Sequence, residues 1–423
     1  MKNISELQFL ENLSDFGIKL GLDKIKFILE KLGSPHLKYP SILVGGTNGK
    51  GSVCKCLSEI TRESGYKTGL YTSPHLVDVK ERIVVNGEKI TDEEFIEKIK
   101  QVRRIIEKLP YHMYPTYFET LTAIAFLYFY EKGIDIAVCE VGLGGRFDAT
   151  NVLPSEINVI TEIGLEHTKL LGKTYESIAG EKAGIIKKGS LVVVSKQRKE
   201  AEKVIKEKGK QKKAKIYFYG KDFKSIKREE SIDGLVFDFY GKEKLKNVKT
   251  KIIGSHQIEN LSLAIQSSLL LRKKGVKVKK ENIYSALENL QWEGRFEILQ
   301  KNPFIIFDGA HNPDGVKVLI KNLKKYFPFK LKLLIGILKD KDYTKMLSYV
   351  SKYNPEEIVF TTPETERALD PEILSNYMKK SNTKIKVIKD VNNAMEYIKK
   401  TGDSWCIFGS LYLYSSVNVN LRS

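Results

Sequence analysis

Cysteine is scarce in this chain, and the little there is forms no pattern. Its four cysteines, Cys54, Cys56, Cys139 and Cys406, sit inside apolar helix or strand patterns. They show neither zinc-ribbon spacing nor a disulfide framework, and they read as buried free thiols. Long apolar runs are also missing. The best of them, Leu121 to Tyr130, falls well short of the ~20 residues a bilayer span requires. Residues 1–17 are acidic and polar where a secretory signal needs an apolar centre, so the mature chain is expected to start near Met1 and to stay in the cytoplasm. No sequence motif recurs at a fixed short period, which excludes solenoids and propellers. A hydrophobic fraction of 42% with 29% charged residues fits a globular protein and not a disordered, collagen-like or coiled-coil chain.

Acidic residues are outnumbered, 52 against 71 basic ones, for a net charge of +19. Such an excess suits nucleic acid, an acidic membrane surface or anionic small molecules. Much of it is lysine on helix faces (Lys98, Lys100, Lys203, Lys206, Lys208) or in the run from Lys210 to Lys215, which reads as solvated surface. No aromatic-and-basic motif supports a nucleic-acid partner. At 423 residues two domains are expected, because single cores rarely grow past roughly 250 residues.

From Ser41 to about Gln197, short apolar runs alternate with amphipathic helices, the mark of a parallel sheet covered by helices. Ile42–Val44, Ile134–Glu140, Ile157–Ile163 and Leu191–Ser195 read as strands. Thr91 with Glu94 and Thr116 with Glu119 fit capping boxes, and Val53, Cys56, Leu57 and Ile60 recur at helical spacing. Asn86-Gly87 marks a hairpin. Residues 215–253 read as a small antiparallel sheet attached to the first domain, followed by helices from Glu259 to Leu290. Trp292-Glu293-Gly294-Arg295 reads as a hinge, which divides the chain into residues 1–294 and 295–423. Beyond it Phe304–Phe307, Leu331–Ile337, Ile358–Thr361, Ile385–Ile388 and Trp405–Phe408 predict a second α/β domain. The fold class is thus α/β: a phosphate-loop domain on a parallel sheet, a small antiparallel sheet, and a Rossmann-like C-terminal domain.

The first strand runs into Gly45-Gly46-Thr47-Asn48-Gly49-Lys50-Gly51-Ser52 and then a helix. Glycines let backbone N–H groups wrap an anion, the helix N-terminus adds positive potential, and Lys50 can reach terminal phosphates. The common phosphate-loop pattern differs at two places, with Val44 where a glycine is usual and Gly51 where a hydroxyl follows the lysine. A bound phosphate chain needs a cation, and Glu140, ending an apolar strand, is placed to hold one at the C-terminal edge of the sheet. Gly142 to Asn151 is a glycine-rich polar loop suited to folding over a site. Of six histidines, His75, His167, His256 and His311 stand at strand ends or helix starts. Any one of them alone is more often structural; no pair has zinc-ligand spacing, so a zinc site is rejected and His167 is kept as a candidate single ligand to Mg²⁺.

Taken together, these segments resemble the folylpolyglutamate synthase and dihydrofolate synthase family, within the Mur-type ATP-dependent amide ligases. The likeness rests on Gly46 to Ser52; Tyr71-Thr72-Ser73-Pro74-His75-Leu76; Glu81-Arg82-Ile83; Phe118-Glu119 with Leu121-Thr122-Ala123; Gly142 to Asn151; Glu181-Lys182-Ala183-Gly184-Ile185; and Asp308-Gly309-Ala310-His311-Asn312-Pro313. Gly336 with Asp340-Lys341-Asp342, and Gly409 to Leu413, match further on. Glu166 departs from the aspartate usual in the family before His167.

The resemblance implies an ADP-forming ligase that phosphorylates the carboxyl group of dihydropteroate or of a folate glutamate tail, for attack by the amine of L-glutamate. It implies ATP contacts from Thr47, Asn48, Gly49, Lys50, Gly51, Ser52, Asn260, Arg295, Asp308 and His311. Magnesium would be held by Ser73, Glu140 and His167, with Ser52 added from general phosphate-loop chemistry. Substrate contacts would come from Thr72, Pro74, His75, Phe118, Arg146 and Asp148. Lys50, His167 and Lys182 would serve catalysis, Lys182 as a CO₂-derived carbamate. The expected partners are small molecules only, with no nucleic acid and no membrane, and the molecule is expected to be a monomer. Another Mur-type amide ligase and a nucleic-acid-dependent ATPase are the alternative readings.

Overall fold

The structure, a computed structural model, describes residues 5–17, 21–379 and 383–422. The first strands are β1 (Ser41–Gly45), β2 (Thr68–Tyr71), β3 (Ile83–Val85), β4 (Glu88–Lys89), β5 (Ile136–Glu140), β6 (Ile157–Ile160), β7 (Leu191–Val194) and β8 (Lys215–Phe218). They form an eight-stranded sheet in the order β4-β3-β2-β5-β1-β6-β7-β8. The six strands from β2 to β8 run parallel, and β3 and β4 close the edge as an antiparallel hairpin turned at Asn86-Gly87. Alternate residues supply two cores: Leu43, Ala137, Cys139, Ile160 and Val192 face one way, and Ile42, Val44, Val138, Val159 and Val193 the other. Burial on both faces is why these strands are short continuous apolar runs.

The capping boxes behave as the sequence implies. Thr91 accepts from the Glu94 N–H at the start of helix Asp92–Ile106, and Thr116 from the Glu119 N–H at the start of Tyr117–Glu131. The latter helix is apolar almost all round and is buried.

Three strands, β9 (Lys224–Ser231), β10 (Gly234–Tyr240) and β11 (Lys244–Thr250), make the small antiparallel sheet. Here the expectation for residues 215–253 needs correction. Residues 215–218 do not join that sheet but extend the large one as β8, parallel to β7. Alternation along a strand does not encode which neighbour it pairs with. The small sheet packs Phe237, Phe239, Leu245 and Val248 into the core shared with helix His256–Leu271.

After the hinge come β12 (Glu297–Lys301), β13 (Phe304–Asp308), β14 (Lys332–Ile335), β15 (Glu357–Phe360), β16 (Lys384–Val387) and β17 (Trp405–Phe408), in the order β12-β13-β17-β14-β15-β16. All neighbours are parallel except β12, an antiparallel edge strand that the hinge reading does not anticipate. All four cysteines are buried and free, three under the first sheet's layers and Cys406 in the second. Among the described residues no helix is long and apolar enough to cross a membrane.

Candidate active site

Three neighbouring parallel strands end at one place, and their C-terminal ends carry the chemistry. Strand β1 leads into the phosphate loop, β5 ends on Glu140, and the chain leaves β2 through Thr72 and Ser73. The register pairs Val44 with Glu140 and Tyr71 with Cys139, so the three exits lie side by side. This is the edge at which open parallel sheets bind ligands.

Gly46 and Gly49 have φ of +142° and +88°, which L-residues rarely adopt. The loop is braced from below: Thr47 N–H donates to the Glu162 carbonyl at 2.8 Å, and the Thr47 hydroxyl lies 3.0 Å from the Gly164 amide. Helix Lys50–Glu63 starts at once, so the amides of its first turn have no intrahelical acceptor and remain available to an anion. Asn260, on helix His256–Leu271, leans on the loop, since a Cβ on Gly49 would lie 2.3 Å from Asn260 Oδ1. Gly51 is covered by the Trp292 indole, 3.1 Å from where its Cβ would be. A side chain there would push on the indole, so the glycine between Lys50 and the buried Ser52 leaves Trp292 its place.

Lys50 Nζ donates to the Thr47 carbonyl at 3.1 Å and lies 3.9 Å from Glu140 Oε1. Ser73 N–H donates to Glu140 Oε2 at 3.2 Å. Burial pushes the Glu140 carboxyl above the usual carboxylate range, opposed by Lys50, the Ser73 amide and Arg295. A buried carboxylate so incompletely compensated is a fit partner for a cation.

Lys182 closes helix Tyr175–Lys182, which Thr174 caps by accepting from the Ser177 N–H. Its amine is buried beneath the loop and donates to the Gly46 carbonyl at 2.6 Å. Among the described residues it makes no ion pair within 4.0 Å. Burial and then nearby Lys50 push it down to about 7. His167, brought down to about 4 chiefly by burial, is a neutral imidazole at neutral pH.

The second domain faces this edge. Asn312 Nδ2 donates to Asn48 Oδ1 at 3.0 Å, directly across the two domains. Glu166 Oε1 lies 3.1 Å from Lys341 Nζ, 3.5 Å from His311 Nε2 and 3.9 Å from His167 Nε2. Burial alone would raise this carboxyl, but His311 and Lys341 hold it well below the usual range. Asp308 accepts from the Phe296 and Ala310 amides, each at 2.8 Å, and burial raises its carboxyl, opposed by Arg295. His311 Nδ1 sits 2.7 Å from the Gly309 carbonyl.

The residues considered for acceptor binding are more dispersed. His75 Nδ1 accepts from Arg82 Nε at 3.0 Å, and Thr72 N–H donates to the Arg82 carbonyl at 3.1 Å; the Ser73–Pro74 peptide is cis. Phe118 lies against Gly142, with its ring 2.5 Å from a Cβ built there. The two charged residues of the glycine-rich loop diverge. Arg146 points outward toward Glu181 at 3.5 Å. Asp148 points inward and spends its oxygens on the Thr150 hydroxyl at 2.5 Å and the Leu143 amide at 2.8 Å. Sequence reasoning did not single out Trp292, Asn312 or Lys341 as site residues, although each stands inside a segment it had marked.

A phosphate loop on one parallel sheet, faced across a short hinge by a second α/β domain, defines the Mur-type ligases. In agreement, residues 44–268 match the Mur ligase middle domain and residues 294–411 the Mur ligase glutamate ligase domain. Within that class the chain belongs to the dihydrofolate synthase/folylpolyglutamate synthase family. It is 36% identical over 416 residues, 96% of each chain, to the dihydrofolate synthase/folylpolyglutamate synthase of Bacillus subtilis strain 168. A folylpolyglutamate synthase from Thermotoga maritima superposes with a TM-score of 0.88 at 37% identity, covering 99% of this chain and 97% of that one. A FolC structure from E. coli in complex with DHPP and ADP gives a TM-score of 0.87 at 27% identity, covering 99% of this chain and 98% of that one.

Proposed function

We propose that this chain is an ATP-dependent ligase forming an amide between L-glutamate and the carboxyl group of dihydropteroate or of a reduced folate. The observation that carries the reading is the convergence of Lys50, Glu140 and Ser73 on the C-terminal edge of three adjacent parallel strands, beneath a second domain that contributes Asn312, His311 and Arg295. In the first step a carboxylate oxygen attacks the γ-phosphorus of ATP, the bond to the β-phosphate bridging oxygen breaks, and ADP leaves an acyl phosphate behind. The glutamate amine then attacks the acyl carbon, loses a proton, and expels inorganic phosphate. Positioning and charge neutralisation dominate such phosphoryl transfer. Lys50 and the first-turn amides hold the phosphates, while Asn260, Arg295 and Asp308 fix the nucleotide between the domains. Thr72, Pro74, His75 and Phe118 shape the acceptor side, with Arg146 at the rim, and Asp148 keeps the glycine-rich loop folded.

Among the described residues no three His, Cys, Asp or Glu side chains gather as a metal cage. One buried carboxylate with Ser73, Ser52 and neutral His167 suits Mg²⁺, which keeps waters and phosphate oxygens among its ligands. Bound there, Mg²⁺ would offset phosphate charge. Lys182 fits a carbamate because its amine is buried, brought down to about 7 by that burial so that a neutral fraction exists near neutral pH, and held by a carbonyl. We further assign the domains to 1–294 and 295–423 and the molecule to a cytoplasmic monomer.

Steady-state ADP release with dihydropteroate and with tetrahydrofolate, each with and without glutamate, tests the function. Glutamate-dependent release is expected with both acceptors. Release with only one would end the bifunctional version. Release with neither, but stimulated by nucleic acid, would favour the ATPase alternative, and amide formation on a peptidoglycan precursor instead would favour another Mur-type ligase. The Asn48–Asn312 contact leads to a second expectation: ATP and folate together should draw the domains inward. Solution scattering would show a smaller radius of gyration, and no change at saturation would argue against closure.

A further inference from the structure

We propose that Lys187 is a positioning residue for the ligase reaction, acting through Asn151 to lock the glycine-rich loop onto the segment that carries Lys182. The proposal rests on the reading that Lys182 serves the reaction. Lys187 lies five residues beyond Lys182, half-buried, and neither the site geometry above nor the proposed mechanism uses it. Its ammonium donates to both oxygens of one residue, the backbone carbonyl and Oδ1 of Asn151, each at 2.6 Å. The charged side chains that influence it, Lys212 and Lys26, have the same sign, and burial together with them pushes it down to about 8. A lysine kept in such a place costs stability unless its donors are used.

The use is visible in the asymmetry of the Asn151 amide. An ammonium has only donors, so it can hold only the oxygen end of that amide. The NH₂ end is thereby turned the other way, where Nδ2 donates to the Arg146 carbonyl at 2.9 Å and the Gly184 carbonyl at 3.3 Å. Those carbonyls lie on opposite sides of one seam, Arg146 in the loop and Gly184 two residues past Lys182. Arg146 N–H donates across the same seam to the Glu181 carbonyl at 2.8 Å. The backbones meet with nothing between them: a Cβ on Gly145 would lie 2.8 Å from Glu181 O and 3.1 Å from Lys182 Cα, and one on Gly184 2.6 Å from Arg146 Cα. Lys182 is thus clamped on the loop side by this seam and at its amine by the Gly46 carbonyl. Shifts of ~1 Å at a reacting group can cost as much as a hundredfold in rate, and a support of this kind sets such tolerances.

The test is Lys187→Met, which keeps the stem and removes the ammonium, measured beside Asn151→Ala and Lys182→Ala. Lys187→Met is expected to lower kcat ten- to a hundredfold, with KM for ATP and the far-UV circular dichroism spectrum unchanged. It should also need more added bicarbonate to reach its maximal rate than the parent enzyme does, because a displaced Lys182 would hold CO₂ less well; a purely structural role would not move that requirement. Asn151→Ala keeps the backbone acceptor but removes both Nδ2 donations, and it should give the same kinetic pattern, which covers the case in which Lys187→Met does not fold. Normal kcat and normal bicarbonate response in the folded variants, with Lys182→Ala inactive, would overturn this proposal alone. Full turnover in Lys182→Ala would overturn the reading of Lys182 and this proposal with it.

Discussion

Replacing Lys182 by alanine should lower turnover by a factor on the order of 10²–10³, the range found when one preorganised electrostatic group is removed from an active site. The amine lies beneath the phosphate loop, 2.6 Å from the Gly46 carbonyl, and burial brings it down to about 7. Only a neutral amine can add CO₂. The sign of the pH effect follows: below about pH 7 the group becomes an ammonium and activity should fall, and above it activity should hold until another group intervenes. Formate or acetate should partly restore Lys182→Ala by refilling an anionic position. Carbon-13 NMR of the parent enzyme in labelled bicarbonate should show a carbamate resonance that the variant lacks. A variant of normal turnover, or a parent enzyme without that resonance, would remove the carbamate from the mechanism.

A comparable loss is expected for Lys50→Ala, again on the order of 10²–10³ in turnover, for a different reason. On the proposed reading Lys50 brings the positive charge nearest the phosphate chain, and it also faces Glu140 at 3.9 Å. Without it, the buried Glu140 carboxyl loses its leading compensating charge and moves further upward, so it takes up a proton more readily in place of holding a cation. The fold should survive, because the half-buried Lys50 ammonium contacts polar groups, the Thr47 carbonyl and Glu140, and not the apolar core. Circular dichroism checks the fold and calorimetric titration the nucleotide affinity. Near-normal turnover would mean that Gly46–Ser52 is not the phosphate-binding loop.

The site was legible where chemistry is written in adjacent residues. Glycines, Lys50 and a serine at a strand-to-helix junction have few packing reasons to occur together. The capping boxes at Thr91 and Thr116 locate helix starts because both partners lie within one turn. Less was legible where pairing is non-local. Strand β8 alternates as an antiparallel strand would, and only its partner β7 reveals that it extends the parallel sheet. Strand β2 is four residues long with a glycine inside it, and Phe129 and Ile134 pack into the space a side chain at Gly69 would take. Strand β12 follows the hinge at once and is half-buried from Glu297 to Gln300, so its sequence has no clear apolar alternation. The Glu166–Lys341 contact joins residues 175 positions apart, a separation no local pattern encodes. The extra methylene of Glu166, relative to the aspartate usual in the family, is what the resemblance flagged; its reach to the second domain is what the structure adds.

The distribution of the cysteines gives the molecule an internal clock. Cys54, Cys56 and Cys139 are sealed within the first domain's layers and Cys406 within the second, and burial raises all four thiols, so little reactive thiolate exists in the closed state. A thiol reagent therefore reacts only when a layer opens. The first three cysteines time the breathing of the nucleotide half and Cys406 that of its partner half, so mass-resolved alkylation would show which half ATP quietens, with no label added to the protein.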